Sequence, residues 1–175
     1  MRPLLFLAAA MAVVAPHHAD AQEVFGGVFA HDVETPVTRS GQEGGVDLHL
    51  GWRGSRIGSL RAIGAPAPHA FVQVNSRGDT NAVSAGLSWT IGRRVYARPG
   101  VGVALHDGPL GLDTPPDRID FGSRVVFVPE LSLGVRVAPD VSVEASWVHY
   151  SHAQLLGDQN PGSDNFGVRL AWRYR

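Results

Sequence analysis

No cysteine and no lysine occur among the 175 residues of this chain. Without cysteine there is no disulfide framework, no thiolate metal site and no cysteine nucleophile, so stability and any covalent chemistry rest on other groups. The missing lysine makes all fifteen basic residues arginine, a usage that fits genomic base composition and also suits bidentate contacts to phosphate. Charge itself is scarce: 18% of residues carry it and the net is −1, which leaves no basic surplus to neutralise a nucleic-acid backbone. Beyond the first twenty or so residues no window has helical periodicity, and no apolar run is long enough to cross a bilayer as a helix. Internal repeats, low-complexity tracts and a second-domain linker are also missing, so the sequence predicts one domain.

What is present begins with an export signal. Arg2 supplies the positive start, Leu4 to Val14 an apolar core, and Ala19-Asp20-Ala21 a small-residue cleavage site. Residues 1–21 are therefore predicted to be a signal peptide and 22–175 the mature domain. From there on the dominant pattern is alternation with period two, which predicts an all-β fold. Eight strand segments are expected, near Glu23 to Ala30, Gly44 to Trp52, His69 to Asn75, Asn81 to Ile91, Val95 to His106, Phe121 to Val137, Val141 to Ser151 and Asp164 to Tyr174.

The two faces of these segments differ. Val46, Leu48, Leu50 and Trp52 share one face, as do Ala85, Leu87, Trp89 and Ile91, then Val101, Val103 and Leu105, then Leu131, Leu133, Val135 and Val137. Opposite them lie small or polar residues such as Asp47, His49, Ser84, Gly86, Gly100, Glu130 and Arg136. In a soluble sandwich or lipocalin-like barrel the apolar face turns inward; in an outer-membrane barrel it turns outward to lipid, around a polar lumen. Export, a polar face of Gly, Ser and opposed Arg and Glu, and the last stripe of the chain favour the second. That stripe, Phe166, Val168, Leu170, Trp172 and Tyr174, resembles the terminal assembly signal of outer-membrane proteins, here extended by Arg175. The expected fold is an eight-stranded antiparallel transmembrane β-barrel in the cell outer membrane, with a soluble periplasmic binder as the rival.

An even strand number puts both termini on the periplasmic side. Residues 92–94 and 138–140 then become short periplasmic turns and 53–68 a longer one, while 31–43, 106–120 and 152–163 become extracellular loops. On the seventh segment Val141, Val143, Ala145, Trp147, His149 and Ser151 share the lipid stripe; on the eighth, Asp164 begins the stripe that continues through Phe166. A strand tilted by roughly 40° climbs about 2.5 Å per residue, so His149 lies about 20 Å along an apolar band about 25 Å tall, at the outer rim. An isolated polar pair there would merely meet headgroups and water. A correctly facing carboxylate across the hairpin adds the third member of a hydrolytic triad: Ser151 as nucleophile, His149 as base, Asp164 as the acid that orients it. A triad open to the side at this depth would meet an ester just below a lipid headgroup.

The stretch "HYSHAQLLGDQNPGSDN" resembles the lipid A 3-O-deacylase (PagL) family of outer-membrane barrels, whose members carry His-x-Ser-Asn-Ala, a loop with Asn-Pro-Gly, and then a Glu. The likeness is specific over Phe121 to Arg175 and faint upstream, where "RPGVGVALHDG" is the best remnant. It implies an eight-stranded barrel that hydrolyses the 3-hydroxyacyl ester at the 3-position of lipid A, using His149 as base, Ser151 as nucleophile and Asp164 as acid. The implied partner is lipopolysaccharide of the outer leaflet; no cofactor is implied and a homodimer is left open. Three departures stand out. Asp164 is one methylene shorter than Glu and its loop about one residue longer; His152 replaces an Asn proposed to hold the oxyanion; Gln154 replaces a Gly of some members. The competing class is a noncatalytic small outer-membrane barrel with a structural or adhesive role.

Other polar residues have plainer readings. His149 and His152 are three apart on a strand and point to opposite faces, a poor metal pair, so no metal is predicted. His31, His49, His69 and His106 are read as lumenal or loop residues. Glu130, Glu144, Arg136, Arg169 and Arg173 fall on inward faces, predicting a lumenal ion-pair network that serves stability in preference to a pore. Arg39, Arg77, Arg118 and Arg124 lie near extracellular ends, suited to lipid A phosphates or to plain solvation.

Overall fold

Alternation becomes eight strands joined in a ring. The computed structural model describes residues 22–36, 38, 42–153 and 161–174; the expected signal peptide, Arg39, Gln154 and Arg175 lie outside the described residues. The strands are β1 (Gln22–Ala30), β2 (Val46–Arg53), β3 (Ala67–Asn75), β4 (Ala82–Ser88, resuming at Ile91–Gly92), β5 (Val95–His106), β6 (Val125–Arg136), β7 (Val141–Tyr150) and β8 (Ser163–Tyr174). Each pairs antiparallel with its chain neighbours, and β1 pairs with β8, which closes the barrel. Gln22 faces Tyr174 in that seam, so both ends of the barrel chain lie at the end of the short turns, the periplasmic end.

The faces decide between the two barrel readings. Leu50 is 61% exposed, Leu133 61% and Trp172 63%, whereas Asp47, Glu144 and Arg169 are completely buried. A belt of large apolar side chains outside and charges inside is the arrangement for lipid, and in water it would expose far more contiguous apolar surface than a soluble monomer carries.

Charges survive inside because each has partners. Arg169 bonds Glu130 at 2.8 Å, and its guanidinium lies 5.0–5.2 Å from the ring centres of Phe25, Phe29 and Phe71. Arg98 links Glu144 and Glu23, Glu23 also takes Arg53 and, at 3.4 Å, Arg173, and His69 lies 3.4 Å from Glu130. His49 stacks between Phe29, at 3.9 Å, and Phe71, at 5.1 Å. Removing ions from water is costly, and only multiple opposed charges and hydrogen bonds offset it. Of the predicted lumenal network, Glu130, Glu144, Arg169 and Arg173 are joined in this way, whereas Arg136 lies over the Tyr96 ring, 5.8 Å from its centre, and forms no ion pair among the described residues. Glycine makes room for the network: a Cβ on Gly134 would fall 2.2 Å from Cζ of Tyr96, the ring whose hydroxyl donates to Glu144.

Several boundaries differ from the sequence expectation, and one connection has structure of its own. The segment expected as one strand from Asn81 to Ile91 is interrupted at Trp89–Thr90, although Trp89 N still donates to Pro99 O at 2.9 Å. Gly44 is not in β2, because Gly45 turns the chain with φ +93°. Phe121 is not in β6: its ring is buried against His106, at 4.8 Å, and Gly122 bends the chain with φ +72°. The long periplasmic connection after Arg53 contains a 3-10 segment, Gly58–Ile63, tied to the wall where Trp89 Nε1 donates to Ile63 O at 2.7 Å.

Candidate active site

β7 and β8 form one hairpin whose register sets His149 directly opposite Asp164. Directly opposed residues hold their Cβ atoms about 4.5–5.5 Å apart, so a short carboxylate suffices where the partner is this close. His149 Nδ1 lies 2.8 Å from Asp164 Oδ1. The shorter acid therefore reaches its imidazole. With Nδ1 hydrogen-bonded to the carboxylate, the Nδ1–H tautomer is favoured, and Nε2 is the nitrogen placed to accept a proton.

Asp164 opens the outward stripe of β8 yet has no exposed surface. Trp147 Nε1 donates to its Oδ1 at 2.7 Å; the hydroxyls of Thr35 and, at 3.2 Å, Thr38 donate to its Oδ2. Its backbone carbonyl accepts from Val33 N at 2.7 Å. The β1–β2 loop thus lies over the start of β8. His149 keeps 14% of its side chain exposed, and Trp147 flanks it with ring centres 5.9 Å apart.

Ser151 follows the last residue of β7 but remains strand-like, its N–H and carbonyl both bonded to Phe127, at 3.1 and 2.7 Å. Two residues on from His149, it shares that residue's face by alternation. Gly162 borders the same spot with φ +67°, and a Cβ there would lie 3.1 Å from His149 Cε1. A half-exposed Phe166 and the outward Phe127, 38% exposed, supply apolar surroundings.

Residues 49–173 match the family described as Lipid A 3-O-deacylase (PagL). The chain belongs to that family. It is accordingly a carboxylic ester hydrolase of the lipid A deacylase type, and its barrel is an outer-membrane barrel. The fold is similar to that of the solved outer membrane enzyme PagL, with a TM-score of 0.61 and 20% identity over 86% of this chain and 98% of that one. It also resembles Neisserial surface protein A, with a TM-score of 0.56 and 12% identity over 88% and 99% of the two chains. A de novo designed transmembrane β-barrel is similar at 0.51 and 11%, over 88% and 95%. A search of curated protein sequences finds no match.

The remaining residues singled out in the sequence separate by place. His152, one step past Ser151 and on the other side by alternation, is completely buried, and Gln154 lies outside the described residues. Of the outer-end arginines, Arg118 bonds Glu43 at 2.8 Å and lies 3.6 Å from Asp79, and Arg124 donates to the carbonyls of His106 and Gly108 at 3.1 and 2.6 Å. Both hold loops together; Arg77 is exposed. Under the same loops, His31 sets one ring nitrogen on Asp47 at 2.8 Å and the other on Glu43 at 2.9 Å. Burial works against a charged imidazole, but the two carboxylates outweigh it and raise the His31 pKa to about 9. Burial likewise opposes the Glu43 anion, and hydrogen bonds from His31, Arg118, Ile119 N and Thr80 bring its pKa down to about 2. Trp147, Thr35 and Thr38 were not singled out in the sequence. Trp147 was within reach of the same logic, since it precedes His149 on one stripe; the threonines were not, lying 129 and 126 residues from Asp164.

Proposed function

We propose that the chain removes the ester-linked 3-hydroxyacyl chain from the 3-position of lipid A, with Ser151 as nucleophile, His149 as general base and acid, and Asp164 as the carboxylate that orients it. Residues 1–21 direct export in this reading. The supporting observation is the 2.8 Å contact from His149 Nδ1 to Asp164 Oδ1 on the outward face, with Ser151 next on the same stripe. Ser151 Oγ adds to the ester carbonyl as its proton passes to His149 Nε2. The intermediate collapses, the carbon–oxygen bond to the sugar breaks, and His149 returns the proton to the departing sugar oxygen. Water then adds to the acyl-serine, giving its proton to His149, and the free 3-hydroxy acid leaves with Ser151 restored. Throughout, Asp164 stabilises the imidazolium.

For the oxyanion the candidates are His152 and Gln154. Complete burial of His152 favours an indirect part, in setting the turn after Ser151, where Ala153 takes φ +53°. His152→Asn and His152→Ala are then expected to lose activity alike; full activity in both would refute any role for the side chain. The homodimer left open by the sequence gains no support from the relatives, and the reaction needs one chain only, because all three residues belong to one hairpin.

The decisive experiment is expression in a strain with intact lipid A, followed by mass spectrometry of the extracted lipid. Wild type is expected to release one 3-hydroxyacyl chain and Ser151→Ala none. Identical spectra for the two would overturn the proposal.

A further inference from the structure

We propose, resting on the esterase reading above, that the β1–β2 loop completes the active site: Thr35 and Thr38 are positioning residues that hold the Asp164 carboxylate for His149.

A carboxylate at the lipid-facing rim has no water to solvate it, since Asp164 is wholly enclosed. It must then find its donors in the protein, or give up its charge or its place. Oδ1 takes His149 and Trp147; Oδ2 takes the two threonine hydroxyls. Rotation about the Asp164 side chain would swing Oδ1 off the imidazole, and the bonds to Oδ2 oppose that rotation. The loop is itself pinned to β8 at consecutive residues: Val33 N donates to Asp164 O at 2.7 Å, and Asp32 N to Asn165 Oδ1 at 2.9 Å. Thr38 N donates to Thr35 O at 3.3 Å across Pro36, a residue that favours such a turn, so the two hydroxyls arrive together. Thr38 also borders the imidazole's other neighbour, its Cγ2 lying 3.2 Å from where a Gly162 Cβ would be.

The test uses the full chain purified in detergent and lipopolysaccharide in mixed micelles as substrate. Thr35→Val with Thr38→Val keeps the shape and removes both hydroxyls; Thr35→Ser with Thr38→Ser keeps the hydroxyls. Because bonds to a charged group are lost, kcat of the valine pair is expected to fall about tenfold or more, with KM within about twofold and heat-modifiable mobility unchanged. The serine pair is expected to recover most of that kcat. Undiminished kcat in the valine pair, a change confined to KM, or a serine pair as impaired as the valine pair would each overturn the role. If the valine pair fails to form a heat-modifiable barrel, Thr38→Val alone is judged by the same criteria. A folded wild type without activity overturns the esterase reading itself, whereas an active wild type abolished by Ser151→Ala beside an unimpaired valine pair overturns only the positioning role.

Discussion

Replacing Gly162 by alanine should injure catalysis more than it injures the barrel. Its φ of +67° is the left-handed region, where a side chain costs about 1–2 kcal/mol. The new methyl would lie 3.1 Å from His149 Cε1 and 3.2 Å from Thr38 Cγ2. Carbon atoms rest at about 3.5–4.0 Å, so the imidazole must yield by roughly half an ångström. A ring so displaced is pushed out of line with the Asp164 carboxylate 2.8 Å away, and misplacements on this scale cost about tenfold or more in kcat. Gly78→Ala is the matched control: its φ is +79°, and nothing lies within 4 Å of the added methyl. Both variants are expected to lose similar stability, read as the temperature at which heat-modifiable mobility is lost. Only Gly162→Ala is expected to lose kcat in the micellar assay. Equal kcat for the two variants would refute the contact argument.

Asp164→Asn should lower kcat by about 10³-fold or more, because an amide presents the wrong hydrogen-bonding groups to His149 and cannot stabilise the imidazolium; a loss under tenfold in the same assay would count against its role. Arg169→Met should destabilise the barrel by about 3–5 kcal/mol by leaving Glu130 buried without its 2.8 Å partner, visible as a lowered temperature of heat modification; an unchanged temperature would contradict it. The outer loops should respond to pH through His31 and Glu43. The raised His31 pKa gives stability in full below about 6.5 that is lost as pH rises through about 9, and the lowered Glu43 pKa gives stability in full above about 4.5 that is lost as pH falls through about 2. Protease resistance of the 31–45 loop is therefore expected to be greatest between about pH 4.5 and 6.5 and to decline toward pH 9; a flat profile from pH 6 to 10 would refute the pairing.

Strand parity was readable because it depends on neighbours in sequence. Val95 to His106 was bounded residue for residue, and the outward stripe of β8 was correctly placed from Phe166 to Tyr174. Parity misled where an alternating residue answered to a distant partner, as at Phe121, whose ring belongs with His106 inside the loops. The pairing of His149 with Asp164 was accessible for the same reason as the strands: the two lie across one hairpin, so parity and register fix their meeting. The donors to the other carboxylate oxygen were not, because closing the ring brings the β1–β2 loop to β8, and no local pattern in "ETPVT" announces it.

That closure has a consequence for assembly. The seam between β1 and β8 joins the first strand made to the last, and it also carries Thr35 and Thr38 to Asp164. Before the seam forms, the hairpin bearing His149 and Asp164 exists without the loop that secures the carboxylate. In the proposed reading, then, the hydrolytic group is complete only when the ring is: a chain whose seam is still open lacks the two hydroxyls on Asp164 Oδ2 and carries an unfinished site.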